Sequence, residues 1–192
     1  MAGYFRHNIV LYSVIIGRFM LKPLILATLM STLVLSACSS SEQNETQIDP
    51  QKYQVQDVAS LQQRFDLLNQ KLSKDYQAFK KSNSIAFSDQ SAFDSRQLKT
   101  LNLHAVSRTS LKPVKTAYCE MMNGYFAEMY HLGHQNLSLM GQLQLPHAQH
   151  EDLAKSFANA DQFYDFILNR YTSYRQAQEI MGFGCNLKEA LT

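Results

Sequence analysis

From Asp49 onward the apolar residues recur every three or four positions, the period of helices that bury one face. Val58, Leu61, Phe65, Leu68, Leu72, Tyr76 and Phe79 form the first stripe, with charged and amide residues on the other face. Asp49-Pro50 reads as its helix start, a carboxylate to cap free amides and a proline suited to a first turn. Ser82-Asn83-Ser84 reads as its end, with a loop following through Asp89. Phe93, Leu98, Leu101 and Ala105 suggest a second, shorter helix. Ser110 and Pro113 restart the pattern, and Val114, Tyr118, Met121, Tyr125, Met129 and Leu132 make a third stripe that fades near Gly141. Gly124 and Gly133 within it weaken the helix or let a neighbour approach closely. Past Pro146, the positions Leu153, Phe157, Ala160, Tyr164, Ile167, Tyr171 and Tyr174 are the most regular of all, stopped by Gly182 and Gly184.

No comparable alternation of apolar and polar residues argues for a sheet. Four stripes of this kind are buried most simply by one another, so the expected fold is all-α: an antiparallel helical bundle of about four helices, three long and one shorter. Its core is expected to include Leu61, Phe65, Leu68, Leu72, Met121, Tyr125, Phe157, Tyr164, Ile167 and Tyr171.

The chain before Asp49 follows a different rule. Lys22 puts a positive charge just after Met20, and Leu24 to Leu35 is an almost uninterrupted apolar run ending in the small residues Ser36 and Ala37. Only fourteen residues, Leu24 to Ala37, separate Pro23 from Cys38. A permanent bilayer-spanning helix needs roughly 20. Leu35-Ser36-Ala37-Cys38 resembles the lipobox of bacterial lipoproteins, in which the cysteine is lipidated and becomes the mature N-terminus. The resemblance covers about the first 38 residues and implies a signal peptide over 1–37 and a lipid on Cys38. Ser39 is not the aspartate that commonly retains Gram-negative lipoproteins at the inner membrane, so the resemblance implies the outer membrane, facing the periplasm. Residues 1–19 hold a second apolar stretch, Ile9 to Ile16, and Met20 would by itself begin a signal of ordinary length, which leaves the start at Met1 or Met20. Residues 38–48 are polar, without aromatics, and read as a flexible tether; residues 49–192 read as one bundle domain.

Charge changes meaning once this segment is set aside. Of the eighteen Lys and Arg, three (Arg6, Arg18 and Lys22) precede Cys38, leaving fifteen against sixteen Asp and Glu. The mature chain is near neutral, so the whole-chain balance of +2 gives no support for nucleic-acid binding.

With Cys38 committed to lipid, Cys119 and Cys185 remain in a compartment that favours disulfides. A simple hairpin of residues 113–140 and 147–182 would set Cys119 opposite roughly residue 168. Cys185 then reaches it only if the last helix ends early or the tail after Gly182 folds back. Glu128, His131 and His134, followed by His147 and His150, form the one metal-like constellation. Di-iron bundles repeat Glu-x-x-His on a second helix; here that copy is missing, and these residues read as polar-face and helix-end positions rather than ligands. Covalent c-type haem is excluded by the lack of Cys-x-x-Cys-His, and the methionines at helical spacing read as core. The nucleophile-elbow, phosphate-loop and His-Glu-x-x-His motifs are all missing. The expectation is a non-catalytic, lipid-anchored envelope protein without a cofactor, held to the membrane by its lipid and binding or supporting an envelope protein. The alternatives are a ligand- or metal-binding bundle, whose last helix would line a cavity, and a small envelope hydrolase.

Overall fold

Asp57 begins the first long helix, its carboxylate accepting the Ser60 amide at 2.7 Å ahead of α1, Val58–Ser82. In the computed structural model the described residues are 49–145, 153–169 and 173–192, all within the unit Glu45–Thr192. The signal segment, Cys38, the tether, His147, His150 and Tyr171 lie outside them.

Antiparallel to α1 runs α2, Lys112–His134: Asn69 meets Tyr125 while Tyr76 meets Tyr118, the partners moving in opposite directions along the two helices. Short helices follow, α3 (Leu137–Met140), α4 (Leu153–Ser156), α5 (Ala160–Asn169), α6 (Ser173–Met181) and α7 (Leu187–Ala190). The fold is an all-α helical bundle. Its only pairing of strand type among the described residues is one bridge between Phe87 and Val106.

Three stretches depart from simple long helices, each for a local reason. Asp49-Pro50 starts a three-residue 3-10 turn, Pro50–Lys52, and not the long helix. The chain is stopped there because the Asn136 side chain takes the Val55 amide and donates to the Tyr53 carbonyl, tying residues 53–55 to the end of α2.

The expected second helix is a 3-10 segment, Ser95–His104, broken by non-helical dihedrals at Gln97. Its buried residues Leu98, Leu101 and His104 fall three apart, which a three-residue turn aligns on one edge.

The run expected as one helix after Pro146 is divided. Phe157 and Ala158 close α4, and the Asn159 side chain accepts the Gln162 amide at 2.9 Å to start α5 afresh.

The core is largely aromatic. Phe157 packs against Phe65, Phe163 and Phe166, and Tyr174 lies 5.0 Å from Phe126. Leu68, Met121 and Tyr164, expected inside, are only partly buried, whereas Met122, Phe126 and Tyr130 are buried. Helix α2 is covered on both flanks, by α1 and by the returning chain, so its buried arc is wider than one stripe.

Candidate functional site

Each residue of the metal-like constellation that can be described has another partner. Glu128 Oε1 accepts from Lys52 Nζ and from the Tyr53 hydroxyl, both at 2.9 Å. Burial works to raise the Glu128 pKa, but those hydrogen bonds and the Lys52 charge outweigh it and hold the carboxyl below its usual range. His131 lies between the rings of Tyr53 and Tyr130 at 5.4 and 5.3 Å, and burial pushes its pKa down against the pull of Glu128. His134 stacks on Tyr130, and its Nδ1–H donates to the Phe157 carbonyl at 3.0 Å. Among the described residues no group of three or more His, Cys, Asp and Glu comes together as a metal would require.

The sulfurs of Cys119 and Cys185 are bonded, closing a loop with a sequence separation of 66. The last helix does not end early: it runs to Met181, and the pairing is reached by a division of the returning chain and by the fold-back of the tail after Gly182. Between Phe163 and Tyr174 the returning chain advances eleven residues, while their partners Tyr130 and Phe126 are four apart, so the division into α5 and α6 takes up the slack. Then α6 ends at Met181 in a left-handed Gly182, φ 57°, with Phe183 N–H donating to Gln178 O and Gly182 N–H to Glu179 O. The Gln178 side chain finally accepts the Cys185 amide at 2.7 Å.

One buried polar centre was missed. Lys80 is 1 % exposed; its ammonium donates to the Ser91 carbonyl at 2.9 Å and to His104 Nδ1 at 3.0 Å. An ammonium has no acceptor, so the His104 ring carries its proton on Nε2. Asp89 Oδ2 lies 3.8 Å from that Nδ1, the Tyr76 hydroxyl donates to the His104 carbonyl, and Phe93 stacks edge-on to the ring. Burial lowers the pKa of both Lys80 and His104; the Lys80 charge lowers His104 further, and Asp89 opposes both shifts. The pattern did carry a signal: Lys80 stands four after Tyr76 and eight after Leu72, on the buried stripe itself. Chemically the pair is a desolvated ammonium against a neutral imidazole. Neither residue lines the surface grooves described below.

Between α1 and α2 runs an open groove of about 710 Å³, floored by Leu68, Leu72, Phe79, Met121 and Tyr125. Lys71, Asp75, Glu120 and Glu128 edge it, and Gly124 leaves its centre unfilled, since a methyl group there would touch nothing within 4 Å. It continues past Leu68 toward Tyr53 and Leu132 in a further 340 Å³. A third groove, of about 400 Å³, lies at the far tip of the α1–α2 pair between residues 82–86 and 109–114. No helix among the described residues is long and apolar enough to cross a membrane.

The chain matches no protein-family model, no curated protein and no solved structure.

Proposed function

We propose that this chain is a non-catalytic lipoprotein of the bacterial envelope, anchored through Cys38, whose helical bundle binds or supports another envelope protein. The observation that carries the reading is the bond between Cys119 and Cys185. It takes the two other cysteines out of play and fits an oxidising compartment outside the cytosol. Cys38, behind its apolar run and small residues, is then the remaining thiol of three.

Support for a binding role comes from the surface. The aromatics of the last third of the chain, Phe157, Phe163, Phe166 and Tyr174, pack on one another and on α1 and α2 in the core. The α1–α2 groove, by contrast, is unfilled and lined by apolar residues together with Lys71, Asp75, Glu120 and Glu128, a form that can receive a partner's amphipathic helix.

Two measurements test this. Cys38→Ala is expected to leave an uncleaved precursor without lipid, read by mass spectrometry of the envelope fraction; normal processing and acylation of that variant would sink the anchor. A photo-crosslinker at Met121, in the groove, is expected to capture one defined envelope protein that the same group at the exposed Lys74 does not. Equal capture from both positions would remove the groove as the binding surface.

A further inference from the structure

Ile85 is wholly exposed. It stands on the single 3-10 turn Ser84–Ala86 that follows α1, and Leu111, 74 % exposed, stands beside it just before α2. Both line the groove at the tip of the α1–α2 pair. Isolated exposed apolar residues are ordinary, but here two project from adjoining turns and the charges around them are one-sided. Lys81, Arg108 and Lys112 are exposed and make no ion pair among the described residues. Asp89, the acid in the loop after α1, is turned inward, capping the Ser91 amide and facing His104 and Lys80. Around the two apolar side chains the groove is lined by the hydroxyls of Ser82, Ser84, Thr109 and Ser110.

From these observations we infer that the tip docks on an anionic phospholipid bilayer, with Ile85 and Leu111 entering the interface and Lys81, Arg108 and Lys112 lying among the headgroups. The arrangement matches what such a surface requires. Apolar side chains contribute by leaving water, cations by approaching anionic headgroups, at about 1 kcal/mol for each Lys or Arg near the surface. Ile85 and Leu111 are the most exposed large apolar side chains of the described residues, at 100 % and 74 %. α1 has 25 residues, so the tip at its C-terminal end lies about 37 Å from its start at Val58. The inference does not depend on the lipid proposed at Cys38.

The chain contains no tryptophan, so Ile85→Trp introduces the sole indole at a position where it displaces no packing. The mature protein carrying it is added to vesicles of phosphatidylethanolamine and phosphatidylglycerol, with Leu67→Trp, a half-exposed position on α1, as comparison. The expected result is emission shifted to shorter wavelength and quenched by brominated lipid for Ile85→Trp alone. Adding Lys112→Gln should lower the docked-to-free ratio about fivefold, the equivalent of 1 kcal/mol. Co-flotation with neutral phosphatidylcholine vesicles reports the Cys38 lipid separately, so either reading can fail without the other. An unshifted Ile85→Trp, or a shift without lipid quenching, which would mean a protein covers the tip, overturns the inference. So does an equal emission shift and quenching of Ile85→Trp on the neutral vesicles, whatever the Cys38 lipid does there, which would leave the three cations without a role.

Discussion

The Phe157 ring lies so close to Gly133 that a methyl group at that glycine would come within 2.2 Å of Cδ1 and 2.6 Å of Cε1. Phe157 is fully buried between Phe65, Phe163 and Phe166 and has nowhere to move. Gly133 in α2 therefore exists for a close approach, whereas Gly124 in the same helix meets nothing.

A change of sign follows from that contact. Gly133→Ala gains about 1 kcal/mol of helix propensity and forces an overpacking worth about 1–3 kcal/mol, so it should destabilise the native protein. Phe157→Ala should cost about 3–5 kcal/mol by itself. With the ring gone the clash is gone too, and Gly133→Ala should then be stabilising. Denaturant unfolding of the four combinations checks this; equal effects of Gly133→Ala in both backgrounds would mean the ring does not press on the helix.

Much of α1 was readable in advance because one face is dry and the other wet: Leu61, Phe65, Leu72 and Tyr76 are all buried. What pattern alone could not supply were the side chains that interrupt it. Asn136 holds the chain from Tyr53 to Val55 out of helix, and Asn159 opens a new helix inside an unbroken apolar period. Both act through hydrogen bonds to single backbone groups, and neither alters hydrophobic spacing. Met122, Phe126 and Tyr130 escaped because a helix packed on two sides has no single stripe. The metal-like residues illustrate the same limit. Their spacing allowed convergence, but the partners they have, Lys52, Tyr53 and the Phe157 carbonyl, come from distant segments.

The Cys119–Cys185 bond joins α2 to the tail beyond α6. On the chain-entropy account, a loop of this length stabilises the fold by about 4 kcal/mol. Cys119→Ala/Cys185→Ala should lose about 2–4 kcal/mol in chemical denaturation. Gly182→Ala should lose about 1 kcal/mol, because its φ of 57° strains any residue with a Cβ and the Arg108 side chain lies 3.2 Å from where that atom would stand. If the double cysteine variant melts like the parent, the tail is held by α7 and Gln178 alone.

His104 makes the bundle sensitive to mild acid. Burial and the Lys80 charge put its folded pKa below the ordinary 6.5, so the unfolded chain binds a proton that the folded chain resists. Stability present above about pH 6.5 is therefore lost as pH falls through the window below it. His131 adds a loss of the same sign, its pKa also lowered by burial. The carboxyls of Asp57, Asp89, Asp94 and Glu128, lowered from 3.8 or 4.5, contribute only at more acid pH. His104→Asn keeps an acceptor for Lys80 and removes the titration. Its melting temperature should fall less than the parent's between about pH 7 and about pH 5; parallel curves would show that His104 does not titrate in this window.

Glu128, His131 and His134 are expected to bind no functional metal. A closed site needs about four ligands converging at 2.0–2.3 Å, and one helix face offers two comfortably. Here Glu128 is engaged by Lys52 and Tyr53, so a metal would have to displace an ammonium and a phenol before gaining its carboxylate. His134 has committed Nδ1–H to the Phe157 carbonyl, leaving Nε2 as its only ligand atom. His131 is held between two tyrosine rings. Elemental analysis of protein purified without an affinity tag should find no stoichiometric metal, and zinc or copper titration should give only weak binding that His131→Ala leaves unchanged. Lys52→Ala should likewise create no tight site, since freeing the carboxylate supplies one ligand where at least two are lacking. Stoichiometric metal that disappears on His131→Ala would reverse this reading and put a metal-binding bundle ahead of the interaction role.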